Sequence, residues 1–442
     1  AAWANWISLV TLVPMEAVAA VQYMSSWPWS WANWTKNFIK NGDITFEGIG
    51  VVFIFMLIFT MINFWSVKIM THFTNLISIF KILLPTLTIV TLICSGFHEH
   101  NFGTNIHEFM PYGSRSIFEA TSVSGIIMSY DAFQTIINMG GELKNPRKNI
   151  VRGVLISMLI TAAIYIMLQV TFIGAVEPSM LAKVGWHGID FTSPFADLAI
   201  LMGINWLVIL LYLDAFVSPF GTGVAFVATA SRALAAMTHT RHLPKWLGRI
   251  NQKYMIPRYA MATDLILAVI LVSLFRNWNL LATVITASTL IAYLTGPVTV
   301  MTLRKIRPDL ARPFKPRYMP WLAPIAFVLT SLAIYWSMWP TTIQVILVIA
   351  LGLPIYFYYE IRYQHSDLKK QLHNCWWMIG YLIFMSFMSY IGSNGFGGQN
   401  WIKYPFDFVV IIVVSLLFYY WGVKSGRDQL DPYAEHIVQN KK

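Results

Sequence analysis

The chain has 442 residues, of which 57% are hydrophobic and 12% are charged, and its mean hydropathy is +0.58. Because an ordinary soluble domain carries about 25% charged residues, this composition excludes a soluble protein and indicates an integral membrane protein. The net charge of +11 does not predict nucleic-acid binding, because most of the cations fall in the loops of one side, as membrane proteins require.

Twelve apolar runs are long enough to cross a hydrocarbon core of about 30 Å, and no soluble domain fits between them. The runs lie near residues 3–24, 47–65, 69–95, 117–139, 151–176, 204–237, 259–275, 280–302, 320–337, 342–359, 375–391 and 405–422. They predict an all-α polytopic membrane protein. The sixth run is too long for one upright helix, so we expect it to tilt, to bend at Pro219 or to extend beyond the bilayer.

The distribution of cations predicts the orientation of the chain. If the first span runs outward, 24 of the 31 Lys and Arg residues lie on the inner side, 6 lie outside, and Lys81 lies within a span. Cytoplasmic loops carry such an excess of Lys and Arg. We therefore predict a multi-pass protein of the cell (inner) membrane whose C-terminus and most basic loops are cytoplasmic.

Four ionisable side chains fall deep in the predicted spans: Glu16, Lys81, Asp131 and Asp214. An ionisable group near the bilayer centre costs on the order of 2.5–3.5 kcal/mol to insert, so each is a candidate for function. No span pairs His with carboxylates at metal-ligand spacing, and we predict no metal and no cofactor.

The fourth run contains a cluster of small and polar residues that predicts a broken helix. The cluster consists of Ser122, Ser124, Gly125, Ser129, Tyr130 and Asp131. A break inside the membrane frees backbone groups that only a ligand, water or a protein cavity can pair. One half-helix end suits a carboxylate and the other suits an ammonium, so such a break can recognise a zwitterion. The alternative is a continuous helix that tolerates a few polar residues.

Four segments resemble, in order along the chain, the amino acid-polyamine-organocation permeases. The sequence "GELKNPRKN" at 141–149 is similar to the exit of their sixth helix, and "NLISIFKILLP" at 75–85 is similar to their fifth helix. "SPFGTGVAFVATASRALAAMTHTRHLP" at 218–244 resembles the eighth helix, and "NWISLVTLVPMEAVAAVQY" at 5–23 resembles the third. "LDAFVSPFGTG" at 213–223 resembles a branch that includes bacterial aspartate-proton symporters, but this likeness does not fix the substrate.

The resemblance implies a leucine-transporter-type bundle of two five-helix inverted repeats, in which the first and sixth helices are broken and hold the substrate. It covers most of residues 1–310, interpreted as a transporter core equivalent to helices 3–10 of the family. It also implies that the first two helices are missing from this chain. Residues 311–442 add four further spans and a basic cytoplasmic tail, as in fourteen-span variants.

Lys81 is the residue for which the resemblance implies the most specific role. In proton-coupled relatives, a lysine at this place on the fifth helix substitutes for a bound sodium ion, and Ser218, Gly221 and Thr222 would face it from the eighth helix. A lysine in low dielectric can lose its charge and so exchange protons. Asp214 lies one turn before Ser218 and could pair with Lys81 or relay protons. The alternatives are a structural lysine and a structural ion pair.

The residues that the sequence favours for substrate binding are Ser124, Gly125, Tyr130 and Asp131, with Phe133 and Gln134 as second choices. Many members of the family carry glutamate at the position of Gln134. A coupling role for a carboxylate at that position is therefore not inherited by this chain.

The leading hypothesis is a secondary active transporter that imports a small amino acid together with protons across the lipid bilayer. A second hypothesis is exchange of an amino acid against a related amine, which needs no proton site. A third is a membrane sensor that does not transport. A membrane enzyme is the weakest alternative, because no G-x-S-x-G elbow occurs and the spans hold too few polar groups for hydrolysis.

Overall fold

The computed structural model describes residues 1–65, 67–131, 133, 145–239, 243–254, 256–309, 312, 314–363 and 368–426. Gln134 and most of the basic tail, at 427–442, lie outside the described residues.

Within the described residues, 18 α-helices account for nearly all regular structure. They are α1 Ala2–Ser25, α2 Phe46–Trp65, α3 Val67–Ser95, α4 Ile106–Phe109, α5 Gly113–Val123, α6 Ile126–Ser129, α7 Pro146–Ala175, α8 Pro178–Val184, α9 Pro194–Leu201, α10 Asn205–His239, α11 Arg258–Leu274, α12 Trp278–Tyr293, α13 Thr295–Ile306, α14 Met319–Tyr335, α15 Thr341–Ala350, α16 Gly352–Tyr363, α17 Leu368–Ile391 and α18 Phe406–Ser425. Short 3-10 helices lie at Ser30–Phe38, Glu99–Phe102, Trp186–Gly188, Lys245–Gly248 and Asn394–Phe396. Strands β1 (Ile39–Lys40) and β2 (Asp43–Ile44) form a small antiparallel hairpin.

In the described chain, 8 helical stretches are long and apolar enough to cross a membrane. They are Ala2–Ser25, Phe46–Phe64, Ile77–Ser95, Lys148–Ala175, Asn205–His239, Trp278–Ile306, Thr341–Tyr359 and Phe406–Ser425, and each coincides with a run predicted from the sequence. The other predicted runs coincide with helices that are interrupted (α5 and α6), only 17 residues long (α11 and α14) or diluted by tryptophan, tyrosine and serine (α17).

Helix α1 lies at the centre of the bundle. In its most apolar 18-residue stretch 83% of the residues are buried inside the protein, whereas 0% are buried in the corresponding stretch of α7, within Lys148–Ala175. α1 contacts α2, α10, α11 and α12. Its buried alanines, Ala17 and Ala20, let neighbouring backbones approach closely. The side chains of α1 therefore face other helices, whereas α7 presents apolar side chains outward, toward lipid.

The two largest of four apolar clusters in the described chain span most of the bundle. One joins α1, α2, α10, α11 and the start of α12. The other joins the rest of α12 with α14, α17 and α18. Because α12 contributes to both clusters, it connects the helices packed around α1 to the C-terminal helices.

Candidate functional site

Helix α5 is interrupted where the sequence predicts a break. Gly125 follows its end with φ +77°, a left-handed conformation that glycine adopts at little cost. The Gly125 amide donates to the Ser122 carbonyl at 3.4 Å instead of reaching back four residues. After the single turn of α6, the amides of Tyr130 and Asp131 again donate to carbonyls only three residues back. The regular hydrogen-bond ladder is thus lost at both ends of α6.

The break lies against the start of α12. Gly125 is buried, and a Cβ added to it would lie 3.3 Å from the Trp278 ring. Ser124 is exposed beside it. Gly125 also occupies the N-cap position of α6, and glycine has no side chain with which to pair the first amide groups of that turn. The exposed Ser124 hydroxyl therefore lies beside a buried glycine whose turn has no side-chain cap.

Asp131 is directed toward α12. Its carboxylate accepts hydrogen bonds from Thr289 Oγ1 at 2.8 Å and from the Tyr293 hydroxyl at 2.5 Å. The Thr289 hydroxyl also lies 2.6 Å from that of Ser8 on α1. Asp131 is only 8% exposed. A buried carboxylate engaged in this way fixes the chain that carries it, so Asp131 anchors the C-terminal side of the break to α12.

Asp131→Asn is expected to destabilise the protein. The amide keeps the shape of the side chain but offers one acceptor oxygen in place of two, so either Thr289 or Tyr293 loses its hydrogen bond to residue 131. We expect the free energy of unfolding to fall by about 1.5–3 kcal/mol, the range for hydrogen bonds to a charged group. Thermal unfolding of the purified protein measures the change, with the exposed Asp190→Asn as control. Equal stability of the two variants would show that Asp131 is no anchor.

Lys81 lies where α3 and α10 approach most closely. A Cβ at Gly221 of α10 would lie 2.8 Å from the Ile77 side chain of α3, so only glycine permits this packing. Lys81 follows Ile77 by one turn, and its Nζ donates a hydrogen bond to Thr222 Oγ1. The Lys81 ammonium also interacts electrostatically with the Glu16 and Asp214 carboxylates. In the described chain, no ion pair within 4.0 Å joins Lys81 to either of them.

A hydrogen-bonded row of polar groups follows one face of α10 away from Lys81. Asp214, Ser218 and Thr222 recur every four residues and therefore share that face. The Ser218 hydroxyl donates to Asp214 Oδ1 at 2.5 Å, and the Thr222 hydroxyl donates to the Ser218 carbonyl at 3.0 Å. Together with the bond from Lys81 to Thr222, these contacts connect the Lys81 ammonium to the Asp214 carboxylate.

Asp214 and Ser218 open onto a cavity of about 270 Å³ between α1, α3, α7, α9 and α10. Most of its lining is apolar: Leu84, Pro85, Leu168, Phe195, Ala196, Leu211, Ala215 and Pro219. Tyr23 and Thr88 add polar groups, and Tyr23 interacts electrostatically with Asp214. The residues of the helix break are not among those that line this cavity. The cavity therefore adjoins the polar row of Asp214 and Ser218, which leads to Lys81, and not the helix break.

Electrostatic interactions relate Lys81 to the break through Glu16 and Tyr165. Tyr165 of α7 packs edge-on against Tyr130, with ring centroids 5.7 Å apart. Its hydroxyl interacts electrostatically with Tyr130 and with Glu16, and Glu16 interacts with Lys81. A succession of polar side chains therefore leads from Lys81 to Tyr130.

The structure places the predicted site residues in two groups. Lys81, Asp214 and Ser218 lie together, whereas Asp131 is engaged with α12. Phe133 lies on the same side as Asp131, with its ring centroid 5.5 Å from that of Tyr293. No structural statement applies to Gln134, which lies outside the described residues.

Sequence reasoning missed Tyr165, Thr289 and Tyr293. A tyrosine in the middle of an apolar run was the available signal for Tyr165, and hydroxyl residues four apart on one helix were the signal for the other two. Neither pattern shows toward which neighbour a side chain turns, because that depends on how the helices pack.

Comparison with known proteins gives a family match and several relatives. The family model described as "Amino acid permease" matches residues 1–346. The chain is 47% identical over 426 residues to the glutamate/serine transporter AimA of Bacillus subtilis (strain 168), and the match covers 96% of this chain and 79% of that protein. It is 32% identical over 425 residues to the aspartate-proton symporter of the same organism, covering 95% and 80%. It is 24% identical over 318 residues to the branched-chain amino acid permease BcaP, also of that organism, covering 72% and 65%.

Proposed function

The chain belongs to the amino acid permease family, and on this premise we propose that it carries a small amino acid together with protons across the cell membrane. Family membership confirms the prediction of an all-α, multi-pass membrane protein that is a transporter and not an enzyme. We further propose that transport is coupled to protons, and we propose which residues perform this coupling and how the chain is oriented in the membrane.

The observation that carries the proposal is the hydrogen-bonded row from Asp214 through Ser218 and Thr222 to Lys81. The row places two hydroxyl groups and the Asp214 carboxylate beside the Lys81 ammonium, so a proton that binds Asp214 from the cavity changes the electrostatic stabilisation of charged Lys81. Within the described residues, Lys81 has a hydroxyl partner and two carboxylates in electrostatic range, but no ion pair within 4.0 Å that would hold it permanently charged. Such a lysine can alternate between charged and neutral forms during a transport cycle.

The helix break is the proposed place for the substrate. Ser124, Gly125 and Tyr130 supply a hydroxyl, backbone groups and an aromatic ring at the interruption, as a zwitterion requires. Asp131 fixes the position of this segment through α12. Phe133 and Gln134 remain second choices for contact with the substrate side chain.

Proton movement and substrate binding are linked in this proposal through Glu16 and Tyr165. Glu16 interacts electrostatically with Lys81, and Tyr165 interacts with both Glu16 and Tyr130, so a change of charge at Lys81 alters the field that reaches the break. We propose that protonation of Lys81 and occupation of the break favour each other. Reciprocal coupling of this kind is what symport requires.

The orientation and the division of the chain follow the sequence predictions. We propose that the C-terminus and most basic loops face the cytoplasm, so that the cavity at Asp214 lies in the outer half of the bilayer. We also retain residues 1–310 as the transporter core and 311–442 as an additional region, and the two-repeat arrangement of the core remains a prediction.

Uptake by proteoliposomes tests the proposed function. L-serine and L-glutamate are the first substrates to try, because a relative with 47% identity is named for them. We expect an inward proton gradient to drive accumulation of at least one labelled amino acid, and a protonophore to abolish it. A counterflow rate that the protonophore does not change would favour amino acid exchange instead of symport. Absence of uptake and of counterflow for a panel of amino acids would favour the sensor.

A further inference from the structure

Helix α5, the outer half of the broken helix, docks on the C-terminal helices along one face. The contacts come from Ser114, Phe118 and Ser122, which are four residues apart and therefore lie in line along the helix. Their partners are on or beside α14 and α18. The family match ends at residue 346, so α18 lies beyond it.

The inner end of this docking face adjoins the helix break. The Ser122 hydroxyl shares a 2.7 Å hydrogen bond with that of Ser337, directly after α14, and both residues are 0% exposed. The carbonyl of the same Ser122 accepts the hydrogen bond from the Gly125 amide. Ser122 is therefore held by Ser337 through its side chain while its backbone forms the first turn of the break.

Aromatic packing holds the middle of the face. The Phe118 ring stacks on that of Trp336, with ring centroids 4.8 Å apart and an angle of 23° between the planes. It also meets the Phe408 ring of α18 edge-on at 5.3 Å. Aromatic pairs in such geometry contribute stabilisation beyond the area that they bury.

The outer end of the face is polar. The Ser114 hydroxyl lies 3.0 Å from that of Tyr404, two residues before α18. Arg115 packs directly over Gly395, where a Cβ would collide with the guanidinium. Hydroxyl hydrogen bonds, aromatic packing and packing of the Arg115 guanidinium thus hold α5 from its first turn to its last.

We propose that the C-terminal helices position the substrate site. In this inference Ser337 is a positioning residue that acts through Ser122 on the break at Ser124 and Gly125, and Trp336 and Tyr404 keep α5 in the orientation that this contact needs. The inference deepens the proposed function and rests on it, because it assumes that the break receives the amino acid. It assigns a role in transport to Ser337 and Trp336, which directly follow α14, and to Tyr404, which lies beyond the family match.

Ser337→Ala, measured in two independent ways, tests the inference. Hydrogen exchange of the amides in residues 113–131 reports docking without any need for transport. We expect exchange in this segment to rise by about 2- to 10-fold, as loss of one buried hydrogen bond implies. We also expect the KM for uptake of L-serine or L-glutamate to rise by a similar factor, with the maximal rate per folded protein little changed.

Ser331→Ala is the matched control. Ser331 lies on α14, is also 0% exposed and also bonds one hydroxyl, that of Tyr381 at 2.7 Å, but it does not contact α5. Tyr404→Phe, which removes a hydroxyl at the accessible outer end, provides a second test if Ser337→Ala does not fold. Combining Ser122→Ala with Ser337→Ala should add little to either alone, because both remove the same bond.

Each readout can overturn the inference separately from the proposed function. If exchange in residues 113–131 is the same in Ser337→Ala and Ser331→Ala, the docking does not hold the break. If exchange rises but the KM is unchanged, the docking is structural and does not position the site. If the wild-type protein takes up no amino acid, the proposed function fails, and the exchange result still decides whether α14 holds the break.

Discussion

Lys81→Met is expected to abolish accumulation of amino acid driven by a proton gradient. Methionine has a similar length and fits an apolar interior, but it has no charge, no proton to exchange and no donor for Thr222. It leaves Glu16 and Asp214 without the cation that both face. Because a variant without an exchangeable proton at this position does not couple proton flow to uptake in the proposed mechanism, the gradient-driven rate should fall at least about tenfold.

The effect of Lys81→Met should be specific to coupling. Counterflow of labelled against unlabelled amino acid needs no net proton movement, so we expect a measurable rate of counterflow to survive. Lys245→Met removes an exposed lysine from a connection and should leave both activities near the wild-type values. Gradient-driven accumulation that persists in Lys81→Met at the wild-type level would remove Lys81 from the coupling mechanism.

Gly125→Ala is expected to reduce uptake by about tenfold. A residue with a Cβ at φ +77° is strained by roughly 1–2 kcal/mol, and every 1.4 kcal/mol corresponds to about a factor of ten in the population of a binding-competent conformation. The new methyl group would also lie 3.3 Å from the Trp278 ring and press α6 away from α12. Initial uptake rates in proteoliposomes, corrected for the amount of folded protein, measure the loss.

Gly203→Ala is the control that distinguishes the effect of backbone strain from the effect of a substitution in the helix break. Gly203 has φ +72°, and no atom lies within 4 Å of an added Cβ, so the substitution introduces the same backbone strain far from the break. Both variants should unfold at similarly lowered temperatures. Only Gly125→Ala should lose uptake, and an equal loss in both would attribute the effect to general destabilisation.

Much of the architecture could be predicted because the bilayer imposes it. Apolar runs mark helices of nearly the observed lengths, since charged and polar residues are expensive inside hydrocarbon. The break was also predictable, because Ser124 and Gly125 interrupt an apolar run with residues that favour loss of helix. The family resemblance indicated the partner of Lys81, and the structure places Thr222 there.

The direction of individual side chains could not be predicted in this way. Asp131 was expected at the substrate, yet its carboxylate faces Thr289 and Tyr293, because α12 packs against that side of the break. Likewise the spacing of Ser114, Phe118 and Ser122 resembles an ordinary helix face. Its partners are more than 200 residues away along the chain, and no periodicity reports contacts at such separation.

The central claim of the proposed mechanism is that proton binding at Lys81 and substrate binding at the helix break are coupled. Calorimetric titration of the purified protein with L-serine and L-glutamate, in buffers of different ionisation enthalpy, counts the protons exchanged when an amino acid binds. We predict a clearly nonzero proton count for the wild-type protein and a count near zero for a Lys81→Met variant that still binds. The same proton count in both proteins would contradict the account.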